Sequence, residues 1–362
     1  MIKTIAFTIA TLFMFSNVMQ AQNISFEDYN PTSTLVVPGK KIIKAKYPFI
    51  DIHGHQYRMA NQDLEPVINA MDTLNMGIMV NLSGRSGKDL IKSVKNIKDH
   101  YPNRFVVFAN VDFEGVGNKN WTENAVQQLR EDINNGARGL KVYKSLGLRN
   151  KDTNGNRITI DDPRLDSIWA LCGEMGVPVL IHTADPKPFW DEFDGHNERW
   201  LELKTHPRRK REANNPAPWE QLIDEQHNMF KKHPNTTFIN AHMGWYANNL
   251  KKLGELLDEM PNMNVEIGAI IAELGRQPRT AKTFFIKYQD RILFGKDSWK
   301  PKEFPTYFRI LESDDEYFPY HKKYHAYWAM YGLDLSDEVL KKVYYKNALR
   351  ILPGLDQTLF PN

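Results

Sequence analysis

The sequence predicts an α/β fold, a distorted (β/α)8 barrel with a metal site at its strand ends. Three observations carry this reading. From residue 47 onward, short apolar runs near 48–53, 77–82, 105–111, 137–143, 178–182, 236–241, 263–268 and 291–296 alternate with helix-patterned segments. Several runs end in residues that bind metals. No glycine-rich phosphate fingerprint follows the first run, which counts against a doubly wound open sheet.

The first run is the most informative. In Phe49-Ile50-Asp51-Ile52-His53-Gly54-His55, the histidines are two residues apart, so a strand points both to one face. The pattern recurs in Val179-Leu180-Ile181-His182, in Phe238-Ile239-Asn240-Ala241-His242, and in Ile292-Leu293-Phe294-Gly295-Lys296-Asp297. Barrel active sites form where strands end, so four histidines and one aspartate converge there. Zinc and similar ions take imidazole and carboxylate ligands, and a catalytic ion keeps one position for water. His53, His55, His182 and Asp297 are the expected ligands of one divalent ion, zinc first, with manganese or iron also compatible. His242, which titrates near neutrality, is the expected proton carrier beside that water.

The helical segments support the alternation. Residues 89–99 place Leu90, Ile91, Val94 and Ile97 on one face, and 250–260 do so with Leu253, Leu256 and Leu257. Two long connections follow strand ends, at 145–162 and 184–218. The second carries Trp190, Phe193, His196, Arg199, Trp200, His206 and the run Arg208-Arg209-Lys210-Arg211, and is expected to be a lid or substrate wall. The tail 336–352, apolar at Val339, Leu340, Val343 and Leu349, is expected to close the barrel.

The ordered set His53-Gly54-His55, Ile181-His182-Thr183, Asn240-Ala241-His242-Met243-Gly244 and Phe294-Gly295-Lys296-Asp297 resembles the metal-dependent amidohydrolase superfamily. Within it, the chain is most similar to the amidohydrolase-related branch, which includes aminocarboxymuconate-semialdehyde and γ-resorcylate decarboxylases and pyrone-dicarboxylate lactonase. The resemblance runs over about 48–352 and includes the closing segment 343–352. It implies that His53, His55 and His182 are ligands, that Asp297 is a ligand and proton acceptor, and that His242 activates water or polarises substrate. Lys296 stands where the family usually has Thr or Ser, and strand alternation points it away from Asp297. Lys141 matches the fourth-strand lysine that is carboxylated between two metals in binuclear members. The expected role here is simpler: an ammonium that pairs with a carboxylate or substrate, since this branch is mostly mononuclear. Arg85, Arg276 and Arg279 are candidate anion binders, and Trp200 a candidate substrate contact.

The expected activity is hydrolysis of an ester, lactone or amide-type small molecule by metal-activated water. Non-oxidative decarboxylation on the same site is the alternative, and a non-catalytic, metal-stabilised binding barrel is an alternative of another class. The net charge of +3 over 362 residues gives no reason to expect a nucleic-acid partner. A homo-oligomer is compatible with the sequence. The lone Cys172 cannot form an internal disulfide and reads as a small buried hydrophobe.

The first 21 residues read as a signal peptide. Lys3 precedes an apolar stretch, 5–15, too short to span a bilayer, and Ala21-Gln22 offers a cleavage point. Residues 22–46 then form an extension, and 47–362 the barrel. No stable membrane insertion is expected after cleavage, and the mature protein is expected in the periplasm or medium. N-terminal sequencing of the exported form should begin near Gln22. A mature protein that starts at Met1 in the cytoplasm would refute the export reading.

Overall fold

The computed structural model describes residues 23–361; the expected signal segment lies outside the described residues. The chain divides between Thr34 and Leu35 into two compact units. In the first, the described residues carry only a turn at 26–28. The second contains the barrel and begins within the expected extension. There, the Ala45 N–H donates to Leu74 O (3.1 Å), just before the second strand.

The barrel strands are β1 (Phe49–Gly54), β2 (Met76–Asn81), β3 (Phe105–Val107), β4 (Ala109–Asn110), β5 (Leu140–Val142), β6 (Val179–Ile181), β7 (Phe238–Asn240), β8 (Met263–Glu266) and β9 (Ile292–Leu293). They pair in parallel in chain order, β1 to β3 in one sheet and β4 to β9 in another. Between strands run helices such as Glu65–Leu74, Gly87–His100, Trp219–Lys232 and Leu250–Glu259. Parallel strands need such crossovers, which cover the sheet with helices.

Nine segments make eight barrel strands, because β3 and β4 are one strand broken at Phe108. Its N–H donates to Asn81 O (3.0 Å), whereas the next N–H, Ala109, turns to Gly139 O (2.8 Å). The other junction is spanned by Ile52 N–H to Phe294 O (3.1 Å) and Asp297 N–H to His53 O (2.8 Å). The last strand is shorter than the expected 291–296. After Phe294 the chain leaves the ladder, since Asp51 Oδ1 captures the N–H of Lys296 (3.0 Å) along with that of His53 (3.0 Å).

Apolar periodicity and burial agree in most places. Leu90, Val94 and Ile97 are buried, as are Leu253, Leu256 and Leu257. Ile91 is 44% exposed, because one residue on from Leu90 is about 100° around the helix. In the closing run, Asp337–Lys341, Lys342–Lys346 and Asn347–Ile351 follow without a gap. They bury Val339, Leu340 and Val343, while Leu349 stays half-buried. Val343 O accepts from Phe294 N–H (2.9 Å), which ties this run to the last strand.

At the base of β1, the Phe49 ring packs on Phe294 (4.7 Å between centroids), Phe308 (5.3 Å), Tyr344 (5.9 Å) and Phe304 (6.0 Å). It thereby joins the first strand to the last and to the closing run. Phe49→Ala should cost about 3–5 kcal/mol, read from denaturant midpoints. A loss below about 1 kcal/mol would show that this aromatic junction does not hold the barrel together.

Candidate metal centre and active site

Every expected ligand stands at a strand's C-terminal end. His53 is in β1 and His55 follows it; His182 follows β6 and His242 follows β7; Asp297 lies just past β9. The ligand atoms of His53, His55 and Asp297 are within 4.8 Å of one another, and so are those of His53, His242 and Glu266. His53 Nε2 is 3.5 Å and His55 Nε2 3.8 Å from Asp297 Oδ1. His182 Nδ1 is 3.3 Å from His242 Nε2.

The hydrogen bonds fix which nitrogen of each ring is bare. Glu266, fully buried, is 2.9 Å from His53 Nδ1. An ionised carboxylate only accepts, so Nδ1 carries the proton and Nε2 the lone pair. His55 Nδ1 donates to Ser83 Oγ (2.7 Å), whose hydroxyl turns to Tyr143 (3.0 Å), which donates to Leu82 O (3.0 Å). His242 Nδ1 donates to Gly268 O (2.7 Å), and its Nε2 accepts from His182 Nδ1. That leaves His182 Nε2 bare. Among the described residues, the buried His53 Nε2 and His182 Nε2 have no hydrogen-bond partner. Buried polar atoms rarely go unpaired, and bare imidazole nitrogens beside a carboxylate suit a divalent ion.

Electrostatics favour the ligand forms. Burial pulls His53 and His55 down to about 3 and His242 to about 4, and holds His182 well below its ordinary range. Burial alone would raise Asp297, but the surrounding imidazoles and Lys141 pull it below the usual carboxylate range. Neutral imidazoles and an ionised carboxylate bind a cation without first releasing protons.

The backbone beside His242 is strained. His242, Met243, Gly244 and Trp245 have φ of 58°, 52°, 59° and 63°. A left-handed turn costs L-residues about 1–2 kcal/mol each. It is held by Glu266, which accepts the His242 N–H at 2.6 Å, and by Trp245 Nε1–H on Thr183 O at 2.9 Å. The Trp245 ring stacks on His242 at 4.6 Å. Gly244 is required there, since a Cβ would stand 2.4 Å from the Asn240 side chain.

A cavity of about 170 Å³ opens over this cluster. His182, His242, Trp245 and Asp297 form its floor, and Lys144, Asp185, Arg199, Glu202, Arg209, Lys322 and His325 lie on its walls. The 184–218 connection is a wall pinned in place. Its Phe189, Trp190 and Leu203 share an apolar cluster with Trp219, Leu222 and Ile223 of the helix that follows. Trp190 Nε1–H bonds Ala217 O (3.0 Å) and Trp219 Nε1–H bonds Asp185 O (2.9 Å).

Other expected residues stand elsewhere. Lys141 is buried among the histidines without lining the cavity, and its Nζ has no hydrogen-bond partner among the described residues. Burial lowers it to about 8. Arg276 stacks on Trp328 (3.6 Å) and pairs with Glu198, and both it and Arg279 line a different surface pocket. Arg85 is exposed with φ of 62°. Trp200 stacks on Phe193 (6.0 Å). None of these four lines the cavity. Lys296 turns to Ser298 and Glu303, and Cys172 is buried, its thiol pushed up to about 12. Glu266 and Asp51 were not among the expected site residues; the available signal was an acid within a fully buried strand, Met263–Glu266 and Phe49–Gly54.

The buried histidines make stability depend on pH. His53, His55, His227, His242 and His325 all sit at about 3 or 4, against an ordinary 6.5, through burial. Below pH 6.5 the unfolded chain takes up protons that the folded chain refuses, so stability falls toward pH 4. Asp51, raised to about 7 by burial, works in the opposite direction and offsets one histidine. The metal-free protein should therefore melt at lower temperature at pH 5 than at pH 7.5. An equal or higher melting temperature at pH 5 would contradict the neutral, buried state of these rings.

A family model described as amidohydrolase matches residues 85–354, which takes in Lys141, His182, His242 and Asp297. No curated protein matches the chain. Solved structures share the fold. A protein from Staphylococcus aureus described as an amidohydrolase has TM-score 0.53 at 18% identity, covering 84% of this chain and 99% of its own. An uncharacterised TIM-barrel protein from Bordetella bronchiseptica has TM-score 0.52 at 14%, covering 84% and 98%. A dihydroxybenzoic acid decarboxylase from Polaromonas sp., solved with manganese and the inhibitor 2-nitroresorcinol, has TM-score 0.52 at 14%, covering 87% and 97%. The fold is that of a (β/α)8 barrel, and the chain belongs to the amidohydrolase family, in the amidohydrolase-related branch that its strand-end motifs resemble.

Proposed function

We propose that this protein is a metal-dependent hydrolase acting on an ester, lactone or amide-type bond of a small molecule. The observation that carries the reading is the pair of buried Nε2 atoms on His53 and His182 that have no hydrogen-bond partner among the described residues, with the Nε2 atoms of His53 and His55 at 3.5 and 3.8 Å from Asp297 Oδ1. These four residues would hold one divalent ion, zinc first, with manganese or iron compatible with the same donors. The ion would supply Lewis acidity to water and to a substrate oxygen.

The chain's own residues supply the rest. His242 would take the proton of the attacking water at Nε2, once that atom is released from the His182 Nδ1–H that it accepts at 3.3 Å. Its Nδ1–H is held by Gly268 O, and Glu266 Oε1, 3.6 Å from Nδ1, would steady the imidazolium. Asp297 would orient that water and pass protons on. Trp245, over the His242 ring, would limit access of bulk water. Lys322 on the cavity wall, unpaired among the described residues, favours a second reading, non-oxidative decarboxylation of a small acid, which release of carbon dioxide would reveal. Among the described residues no helix is long and apolar enough to cross a membrane.

Metal analysis and paired variants test the proposal. Protein purified without chelator should carry about one divalent ion per chain. Near zero after supplementation would sink the reading, and near two would make Lys141 a carboxylated bridge. His53→Ala should lose metal and activity together. His242→Ala should keep the metal yet lose turnover by roughly two to four orders of magnitude. Near-wild-type turnover would remove His242 from the mechanism, and full loss of metal would make it a ligand.

A further inference from the structure

The cavity wall carries four cationic side chains, and three of them have carboxylate partners. Lys144 and Arg211 both pair with Asp185. Arg199, buried, pairs with Glu202 (3.0 Å) and Glu273 and lies against the Trp328 ring (4.8 Å). Arg209 pairs with Glu202. The fourth is Lys322, in the loop after the helix Phe304–Glu312, and among the described residues it has no ion pair within 4.0 Å. The carboxylates around it are Glu303, Asp297 and Glu202. Glu303 is taken by Lys296, and Glu202 by the two arginines and His325. Asp297 faces the histidines.

We infer that Lys322 binds a carboxylate at the end of the substrate remote from the reacting carbon. A half-buried ammonium in a small cavity, with its neighbours' charges already satisfied, is stabilised when a ligand supplies the missing anion. One unpaired ammonium matches the single charge of a carboxylate, whereas a phosphate monoester carries about −1.5 to −2 at neutral pH. The substrate class is then a small acid whose second functional group reaches the His182, His242 and Asp297 floor. This rests on the metal-centre reading above, which fixes which end reacts.

The test uses metal-loaded protein and unreactive probes, the four- to six-carbon linear diacids and their monoamides, titrated by calorimetry. Wild type should bind at least one diacid roughly tenfold or more tighter than its monoamide. Lys322→Met should lose that preference, and Lys322→Arg should keep much of it, with metal content unchanged in both. Lys322→Met binding the diacid as wild type does would overturn the assignment. So would a wild type that binds no diacid, or that binds diacid and monoamide alike. Stronger binding of a matching phosphate monoester would overturn the carboxylate class. Metal content measured on the same samples separates the two claims: a wild type that fails to hold metal refutes the metal centre, whereas a metal-replete protein without the diacid preference refutes Lys322 alone.

Discussion

Glu266 is the constraint on which the site depends. Its carboxylate is fully buried, and burial raises it. It is satisfied by three donors: His53 Nδ1–H at 2.9 Å, His242 N–H at 2.6 Å and Gly268 N–H at 2.5 Å. One side chain thus sets the tautomer of His53, holds the left-handed turn that presents His242, and fixes the loop whose carbonyl takes His242 Nδ1–H. A buried acid without such donors would cost several kcal/mol. Glycines pack directly on it: a Cβ at Gly295 would stand 2.4 Å, and one at Gly268 2.6 Å, from Glu266 Oε2. The Phe294-Gly295-Lys296-Asp297 turn can approach this carboxylate because Gly295 has no side chain.

Much of this was legible in the sequence. The strand-end positions of His53, His55, His182, His242 and Asp297 follow from short apolar runs and from the two-residue period of a strand, both local signals. The ring order of the strands follows from their parallel succession. The supporting partners were not legible. Nothing in Met263-Asn264-Val265-Glu266 says that its acid meets a histidine more than two hundred residues away. Lys322 lies in a loop without periodicity, and its unpaired charge stands out only once the other cations of the wall are seen to be paired. The cavity leaves out Arg85, Arg276 and Trp200 because each engages a neighbour first, or faces solvent.

The wall and the floor differ in how they are stabilised. The floor is a set of neutral rings and carboxylates held by short hydrogen bonds inside an apolar barrel. The wall is a network of ion pairs, with Arg199 linking the 184–218 segment to Glu273 and His325 from two later loops. Breaking a buried pair by removing one partner is costly, so these loops hold one another in register above the floor. Variation of the wall need not move the histidines of the floor. That division of labour is common in barrels whose strand-end loops carry specificity.

The central claim is that Glu266 directs His53 Nε2 to a metal. The most direct measurement is a crystal structure of the metal-loaded protein with anomalous data at the metal edge. The account predicts one peak bonded to the Nε2 atoms of His53, His55 and His182 and to Asp297 at about 2.0–2.2 Å, with Glu266 still on His53 Nδ1. A peak on Glu266 itself, or bound through His53 Nδ1, would contradict it.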